Sequence, residues 1–259
     1  MYIDARQQHI LDLLTKYKSM TNDKLRALLF CSASTLRRDL IKLEMANLVQ
    51  RKRGIVSLVS VNNTLSLRVR EELNLAEKRK IADLAKDFVS DHMTLFIDNS
   101  STTYQLCEHL ETHKLTVVTN SLKTAGALNS CDTITCFTPG GQVKNHSNAV
   151  VGELALGFFD NFKADICFIS CRGISHDGLW ESCQNQAMLK RHMIRNAKKT
   201  ILLLDSSKFE SEHFFKLCDF NAIDGVISDQ EPDPSYLALF ERHDLDVLHQ
   251  HEETLPSQS

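Results

Sequence analysis

Cys31-Ser-Ala-Ser-Thr-Leu-Arg-Arg-Asp-Leu40 combines a helix start, an apolar stripe and a basic face in one short segment. Ser32 and Ser34 are both able to cap a helix. Leu36, Leu40 and Leu43 recur at helical spacing and predict one buried face. Ser34, Arg38 and Lys42 run up the opposite face, with Thr35 and Arg37 on its flanks. Just upstream, Thr21 opens a shorter helix whose apolar residues are Leu25, Leu28 and Leu29. Two short helices, the second polar at its start and basic outside, predict a helix-turn-helix seated in the major groove of double-stranded DNA.

The flanking segments complete a small domain. Ile3, Ile10, Leu13, Leu14 and Tyr17 predict an amphipathic first helix. Leu48-Val-Gln-Arg-Lys-Arg-Gly-Ile-Val-Ser-Leu58 is apolar on both sides of a turn at Gly54, which predicts a β-hairpin. A hairpin directly after a reading helix is a wing. Its cations Arg51, Lys52 and Arg53 would meet the phosphate backbone, a contact that positions without reading sequence. Base readout falls to Ser32, Ala33, Ser34 and Thr35, with Arg37 and Arg38 beside them.

Charge follows the same division. Residues 1–60 carry eleven Lys/Arg against five Asp/Glu, a balance of +6, whereas residues 61–259 carry a balance of −9. A basic head on an acidic body fits a DNA reader joined to a controlling domain. Apolar residues make up 42% of the 259 and charged residues 24%, the profile of a globular protein. No run approaches the ~18 apolar residues of a membrane span. The start, Met1-Tyr-Ile-Asp-Ala-Arg, lacks the basic-then-apolar pattern of a signal peptide, so a cytoplasmic location is expected. The eight cysteines show no CxxC and no zinc-site spacing, which predicts reduced, buried thiols and no metal or cofactor.

Residues 60–76 read as a polar connector without a strong apolar stripe, and a helix follows from about Ala76. From Met93 the pattern becomes strand, loop and helix in alternation. Strands are predicted at Thr94–Ile97, Leu115–Val118, Thr133–Phe137, Ile166–Ser170, Thr200–Leu204 and Gly225–Ile227, with helices near 103–110, 121–129, 150–159 and 186–197. This order predicts an α/β domain with a mainly parallel sheet and helices on both faces. Ligands of such sheets bind at the C-terminal strand ends. There the sequence places Asp98-Asn-Ser-Ser-Thr-Thr103, whose Ser100, Ser101, Thr102 and Thr103 would cradle an anion at a helix start. Asn120 ends the second strand, Gly140 and Gly141 follow the third, and Lys208 follows the fifth as a phosphate counter-charge.

These residues together resemble the DeoR family of bacterial transcription regulators of sugar metabolism. The resemblance runs through Ser34-Thr-Leu-Arg-Arg-Asp-Leu40, Glu77-Lys-Arg-Lys-Ile-Ala82, Asp98…Thr103, Val117-Val-Thr-Asn-Ser121, Gly140-Gly141, Val151-Gly152, Lys190-Arg191, Asp205-Ser-Ser-Lys208-Phe and Ile227-Ser-Asp229. It implies a winged helix-turn-helix over 1–59, a linker over 60–76, and a sugar-phosphate-sensing domain over 77–250. It likewise implies a domain fold similar to ribose-5-phosphate isomerase and CoA transferases, and a dimer or tetramer on repeated operator half-sites. The stretch 251–259 remains as a polar tail. Two departures stand out: Ser100 where the family pattern has glycine, and Arg53-Gly54-Ile55 where the family wing has two glycines after a histidine. Asp98–Thr102 and Phe168-Ile-Ser-Cys-Arg-Gly-Ile174…Trp180 are similar to the family branch that activates L-fucose utilisation, which implies fuculose 1-phosphate as effector.

Two rival classes remain. A sugar-phosphate isomerase fused to a DNA reader needs a poised acid/base carboxylate, for which Asp98, Asp177 and Glu181 are the available groups. However, Ser170–Asp177 carries an arginine, Arg172, near its start and lacks an acidic cluster. A nucleoid-type DNA binder would not need a large acidic α/β body. No Ser-His-Asp motif, Walker loop or GxGxxG is present, and the eleven histidines are scattered.

Overall fold

The computed structural model describes residues 3–61, 64–145 and 147–250. The predicted tail 251–259 and Asn62-Asn63 of the connector lie outside the described residues. The chain forms two compact units, Met1–Asn74 and Leu75–Ser259.

The first unit begins with α1 (Ala5–Tyr17), capped by Asp4, whose side chain accepts from the Gln7 amide. A short strand β1 (Ser19–Thr21) leads to α2 (Asn22–Leu29) and α3 (Ala33–Met45). Thr21 caps α2 through the Lys24 amide, and Ser32 caps α3 through the Thr35 amide. Strands β2 (Val49–Lys52) and β3 (Ile55–Leu58) form the expected hairpin, and β1 pairs on the far side of β3. Arg53 and Gly54 both take positive φ, 51° and 79°, as a two-residue type I′ turn requires.

Ile10, Leu11, Leu14, Leu25, Leu36, Leu40, Leu43 and Val56 build one core. Two sequence expectations need correcting here. Tyr17 is 46% exposed and Leu28 41% exposed, and Leu11 with Gln7 completes the buried face of α1 instead. The reason is register: residue 11 follows 7 and precedes 14 on one stripe, whereas the helix ends at 17.

Residues 60–76 also differ from a polar connector. Strands β4 (Ser60–Val61) and β5 (Thr64–Leu65) pair, and α4 (Leu67–Glu72) follows. Leu67, Val69 and Leu73 are buried, and Val69 and Leu73 belong to the first unit's core. Two buried apolar positions in a six-residue helix, with Leu73 just past its end, are too few to form a readable stripe.

In the second unit, α5 (Leu75–Ala85) precedes β6 (Thr94–Ile97), α6 (Cys107–Leu110), β7 (Leu115–Thr119), α7 (Leu122–Leu128) and β8 (Ile134–Phe137). The hairpin β9 (Gln142–Lys144) and β10 (Ala149–Val151) comes next, then α8 (Glu153–Phe159) and β11 (Ala164–Ile169). Strands β12 (Gly173–Ser175) and β13 (Gly178–Glu181), helix α9 (Gln184–Arg195), β14 (Ala197–Leu204) and β15 (Phe215–Cys218) follow. The unit closes with β16 (Gly225–Ser228), α10 (Pro234–Arg242) and β17 (Asp246–His249).

Seven strands form a parallel sheet in the order β17-β16-β14-β11-β6-β7-β8. Its side chains alternate between two cores, as the period of two requires. Leu95, Ile97, Ile166, Phe168, Ile201 and Leu203 face α5, α6 and α7. Phe96, Cys167, Ile169, Leu202, Leu204 and Val226 face α8, α9 and α10. A second sheet, β12-β13-β15, stands apart from the first. The predicted helix at 150–159 starts later than expected, because Ala149–Val151 pairs with β9.

All eight cysteines are free, but buried status holds for Cys107, Cys167 and Cys171 alone; the other five are part-buried. Burial pushes the Cys107 and Cys171 thiols up to about 12.

Candidate functional site

On the first unit, Ala33, Ser34, Arg37, Arg38 and Lys42 are exposed along α3. The Ser32 hydroxyl lies 2.9 Å from those of Ser34 and Thr35, so the helix start is a fixed polar cluster. Arg37, Arg38 and Lys42 make no ion pair with any described residue. Other cations of the unit are paired: Arg6 with Asp39 and Arg26 with Asp23. Buried Asp39 thereby anchors α3 to α1, and burial is outweighed by Arg6 so that its carboxyl is held below the ordinary value.

The wing is less free than its sequence implies. Arg51 turns back to Glu44 of α3, its Nε 2.9 Å from the carboxylate. Lys52 and Arg53, at the tip, make no ion pair with any described residue. Thr21 is occupied as the cap of α2, with its side chain at the entry to that helix.

On the second unit, the strand ends gather around buried Lys190 of α9. Its ammonium sits 2.9 Å from Asp98 Oδ2 and 2.5 Å from Glu181 Oε1, and donates to the Ser170 carbonyl. Burial works against all three charges. The mutual attraction outweighs it, lowering Asp98 and Glu181 and raising Lys190 relative to their ordinary values. Asp98 also accepts from the Ser100 amide at 3.0 Å, the Thr103 hydroxyl at 2.6 Å and the Ser170 amide at 3.2 Å. The Ser100 hydroxyl caps the Thr103 amide at 3.1 Å. Asp98, Ser100 and Thr103 are therefore committed to shaping their own loop. Ser101 and Thr102 are buried within it, ahead of a 3-10 turn at Thr103–Leu106.

Asn120, fully buried just after β7, has a side-chain carbonyl oxygen with no hydrogen-bond partner among the described residues. Ser121 caps α7 through Thr124. Gly141 has φ 145°, and a Cβ there would meet the Val151 carbonyl at 3.0 Å; Gly140 faces open space. Lys208 ends a 3-10 turn after β14, and that turn is fixed by Asp229, which accepts from the Ser206 amide at 2.7 Å.

Two residues that the sequence did not single out lie at the same strand ends. Arg172 leaves β11 with its amide bonded to the Trp180 carbonyl at 2.9 Å. Its guanidinium forms no hydrogen bond or ion pair with a described residue. His213 lies beside it: burial, then the Arg172 and Lys208 charges, hold the imidazole below its ordinary value. Their proximity arises from chain segments distant in sequence, which no local motif could signal. Among the described residues no group of acidic, histidine and cysteine side chains is arranged to hold a metal. No described helix is long and apolar enough to cross a membrane.

A winged helix-turn-helix with an uncompensated basic face, linked in sequence to a parallel α/β unit with polar strand ends, defines a ligand-responsive transcription regulator. Comparison with known proteins is consistent with that class. The DeoR C-terminal sensor domain matches residues 73–230, and the DeoR-like helix-turn-helix domain matches residues 6–61. The chain belongs to the DeoR family.

It is 32% identical over 249 residues to the HTH-type transcriptional repressor GlcR of Bacillus subtilis, covering 96% of each chain. It is 31% identical to the L-fucose operon activator of Haemophilus influenzae, over 83% of this chain and 87% of the relative. It is 27% identical to the glycerol-3-phosphate regulon repressor of Escherichia coli, over 93% and 97%. Among solved structures, ribose 5-phosphate isomerase A of Methanocaldococcus jannaschii matches 52% of this chain and 55% of its own, at 17% identity and a TM-score of 0.39.

Proposed function

We propose that this protein is a cytoplasmic, homo-oligomeric regulator of a carbohydrate catabolic operon, switched by a phosphorylated sugar. The observation that carries the DNA-binding half is the set of exposed cations without ion-pair partners among the described residues, Arg37, Arg38 and Lys42 on α3 with Lys52 and Arg53 at the wing tip. Salt bridges would offset such charges; here they are left for phosphates. Ser34, Thr35 and the two arginines read bases, and the wing tip positions the head.

The effector occupies the C-terminal ends of β6, β7, β11 and β14. Ser101, Thr102, Asn120 and Lys208 face it, and the Asp98–Ser100–Thr103 network holds the loop in shape. Asn120 needs a donor, which a sugar hydroxyl supplies. Gly140 and Gly141 form the outer border. The effector prefers one of two states of the oligomer and so changes operator affinity. Fuculose 1-phosphate is the first candidate, because a relative similar over 83% of this chain is an L-fucose operon activator. The relatives include both repressors and an activator, and both signs of control fit these residues.

The rival isomerase reading is disfavoured by Lys190. Asp98 and Glu181, two of the three carboxylates available for that role, are both ion-paired and lowered, which makes them poor proton acceptors at neutral pH.

A thermal-shift panel of phosphosugars, with the unphosphorylated sugars as controls, tests the reading. A ligand at about 100 times its Kd adds about 2.7 kcal/mol and a clear rise in Tm. Stabilisation by free sugars alone, or by none of the panel, would count against the phosphosugar reading.

A further inference from the structure

We infer that Arg172 is the residue that grips the anionic group of the effector, with Lys208 and His213 beside it. This rests on the reading that the second unit binds a phosphorylated ligand, and it assigns the contact to a side chain outside the expected loop.

Three observations converge on Arg172. First, its guanidinium is part-buried yet unpaired among the described residues, whereas the neighbouring arginines of the unit are engaged. Arg191 donates to the Leu217 and Lys216 carbonyls at 2.6 and 2.7 Å, and Arg195 pairs with Asp160 at 2.8 Å. An arginine removed from water keeps its charge and needs an acceptor. Second, the carboxylate whose charge acts on it, Glu181, is already committed. One oxygen of Glu181 pairs with Lys190, and the other accepts from the Ser182 amide at 3.2 Å. Third, the backbone makes a rigid mount. Arg172 is fixed between β11 and β12 by the bond to Trp180. Gly173 follows it, and a Cβ there would lie 2.1 Å from the Ser211 carbonyl. The Ser211 amide in turn donates to the Ile174 carbonyl at 3.0 Å. That close approach holds the loop carrying His213 against Arg172.

The charged groups that act on His213 are Arg172, Lys208 and Glu181. Two of the three are cations, and the third shares the single Lys190 ammonium with Asp98. An anion would give the Arg172 guanidinium the acceptor it lacks among the described residues. A guanidinium fork matches two oxygens of a phosphate, which a point charge such as Lys208 does not. The chemistry favours a phosphomonoester over a neutral sugar, with the fork setting the ester's orientation.

The test uses the full-length protein and three probes: inorganic phosphate, sulfate and fuculose 1-phosphate, each titrated by thermal shift. The inference predicts that Arg172→Gln needs at least tenfold more of the anion that stabilises the wild type, and that Arg172→Lys falls between them. Phenylglyoxal labelling of the unmutated protein, read peptide by peptide, supplies a check independent of folding: the same anion should protect Arg172. Equal titrations for wild type and Arg172→Gln, or undiminished labelling of Arg172 at saturating anion, would overturn the inference while leaving a phosphate sensor in place. Failure of all three anions to shift the wild type or protect Arg172 would overturn both.

Discussion

Replacing Lys190 by Met leaves Asp98 and Glu181 buried without their shared ammonium. The expected cost is about 3–5 kcal/mol, read as a fall in the denaturation midpoint of the second unit. The same network sets a pH dependence. Asp98 and Glu181 are lowered by folding, so their stabilisation is present above the unfolded carboxylate values near ~4 and is lost as pH falls through the folded ones. Lys190 is raised, so its share is present below ~10.4 and lost as pH rises beyond. Melting temperature against pH should therefore be flat near neutrality and fall at both extremes; a maximum confined to acid pH would contradict the ion-pair account.

Phe30 offers a second test at this scale. It closes α2 in the left-handed region, φ 49° and ψ 41°, and is 95% exposed. Relief of that conformation is worth ~1 kcal/mol, and glycine returns part of it through the unfolded chain. Phe30→Gly should raise stability by a few tenths to ~1 kcal/mol, measured by urea denaturation. Destabilisation would indicate that the ring makes a contact the fold requires.

At the scale of elements, α3 and the wing divide the work of binding DNA. Arg38→Ala should weaken operator binding and leave ligand-induced stabilisation intact. Lys208→Ala should do the reverse. Removing Lys52 or Arg53 should reduce the salt slope of binding by about 1 each. Arg51→Ala should change it less, because Arg51 already pairs with Glu44.

The elements also show what was legible in the sequence. Six strands of the parallel sheet were readable because Val, Ile, Leu and Phe form compact runs there. Edge strand β17, Asp246–His249, was not, since its Asp and His interrupt the apolar signal. Nor were β1, β9 and β12, each three residues long. In the site, the hydroxyl-rich loop was visible, but its internal use was not. Asp98 reads from the sequence as part of the expected effector-binding loop, whereas its ion pair with Lys190, far along the chain, is not readable there. Arg172 reads from the sequence only as one more loop arginine, because its lack of a partner among the described residues is a property of packing, which no local spacing records.

At the scale of the molecule, the central claim is a thermodynamic link between a phosphosugar and operator affinity. Such a coupling is worth about 1–3 kcal/mol, or roughly 5–150-fold. It is reciprocal, so operator DNA must change phosphosugar affinity by the same factor. The direct measurement is fluorescence anisotropy of the full-length protein on DNA from upstream of its own gene, at fixed salt, with and without each phosphosugar. The account predicts that one phosphosugar shifts the Kd at least fivefold and that its unphosphorylated parent does not. An unchanged Kd with a phosphosugar already shown to bind would contradict it.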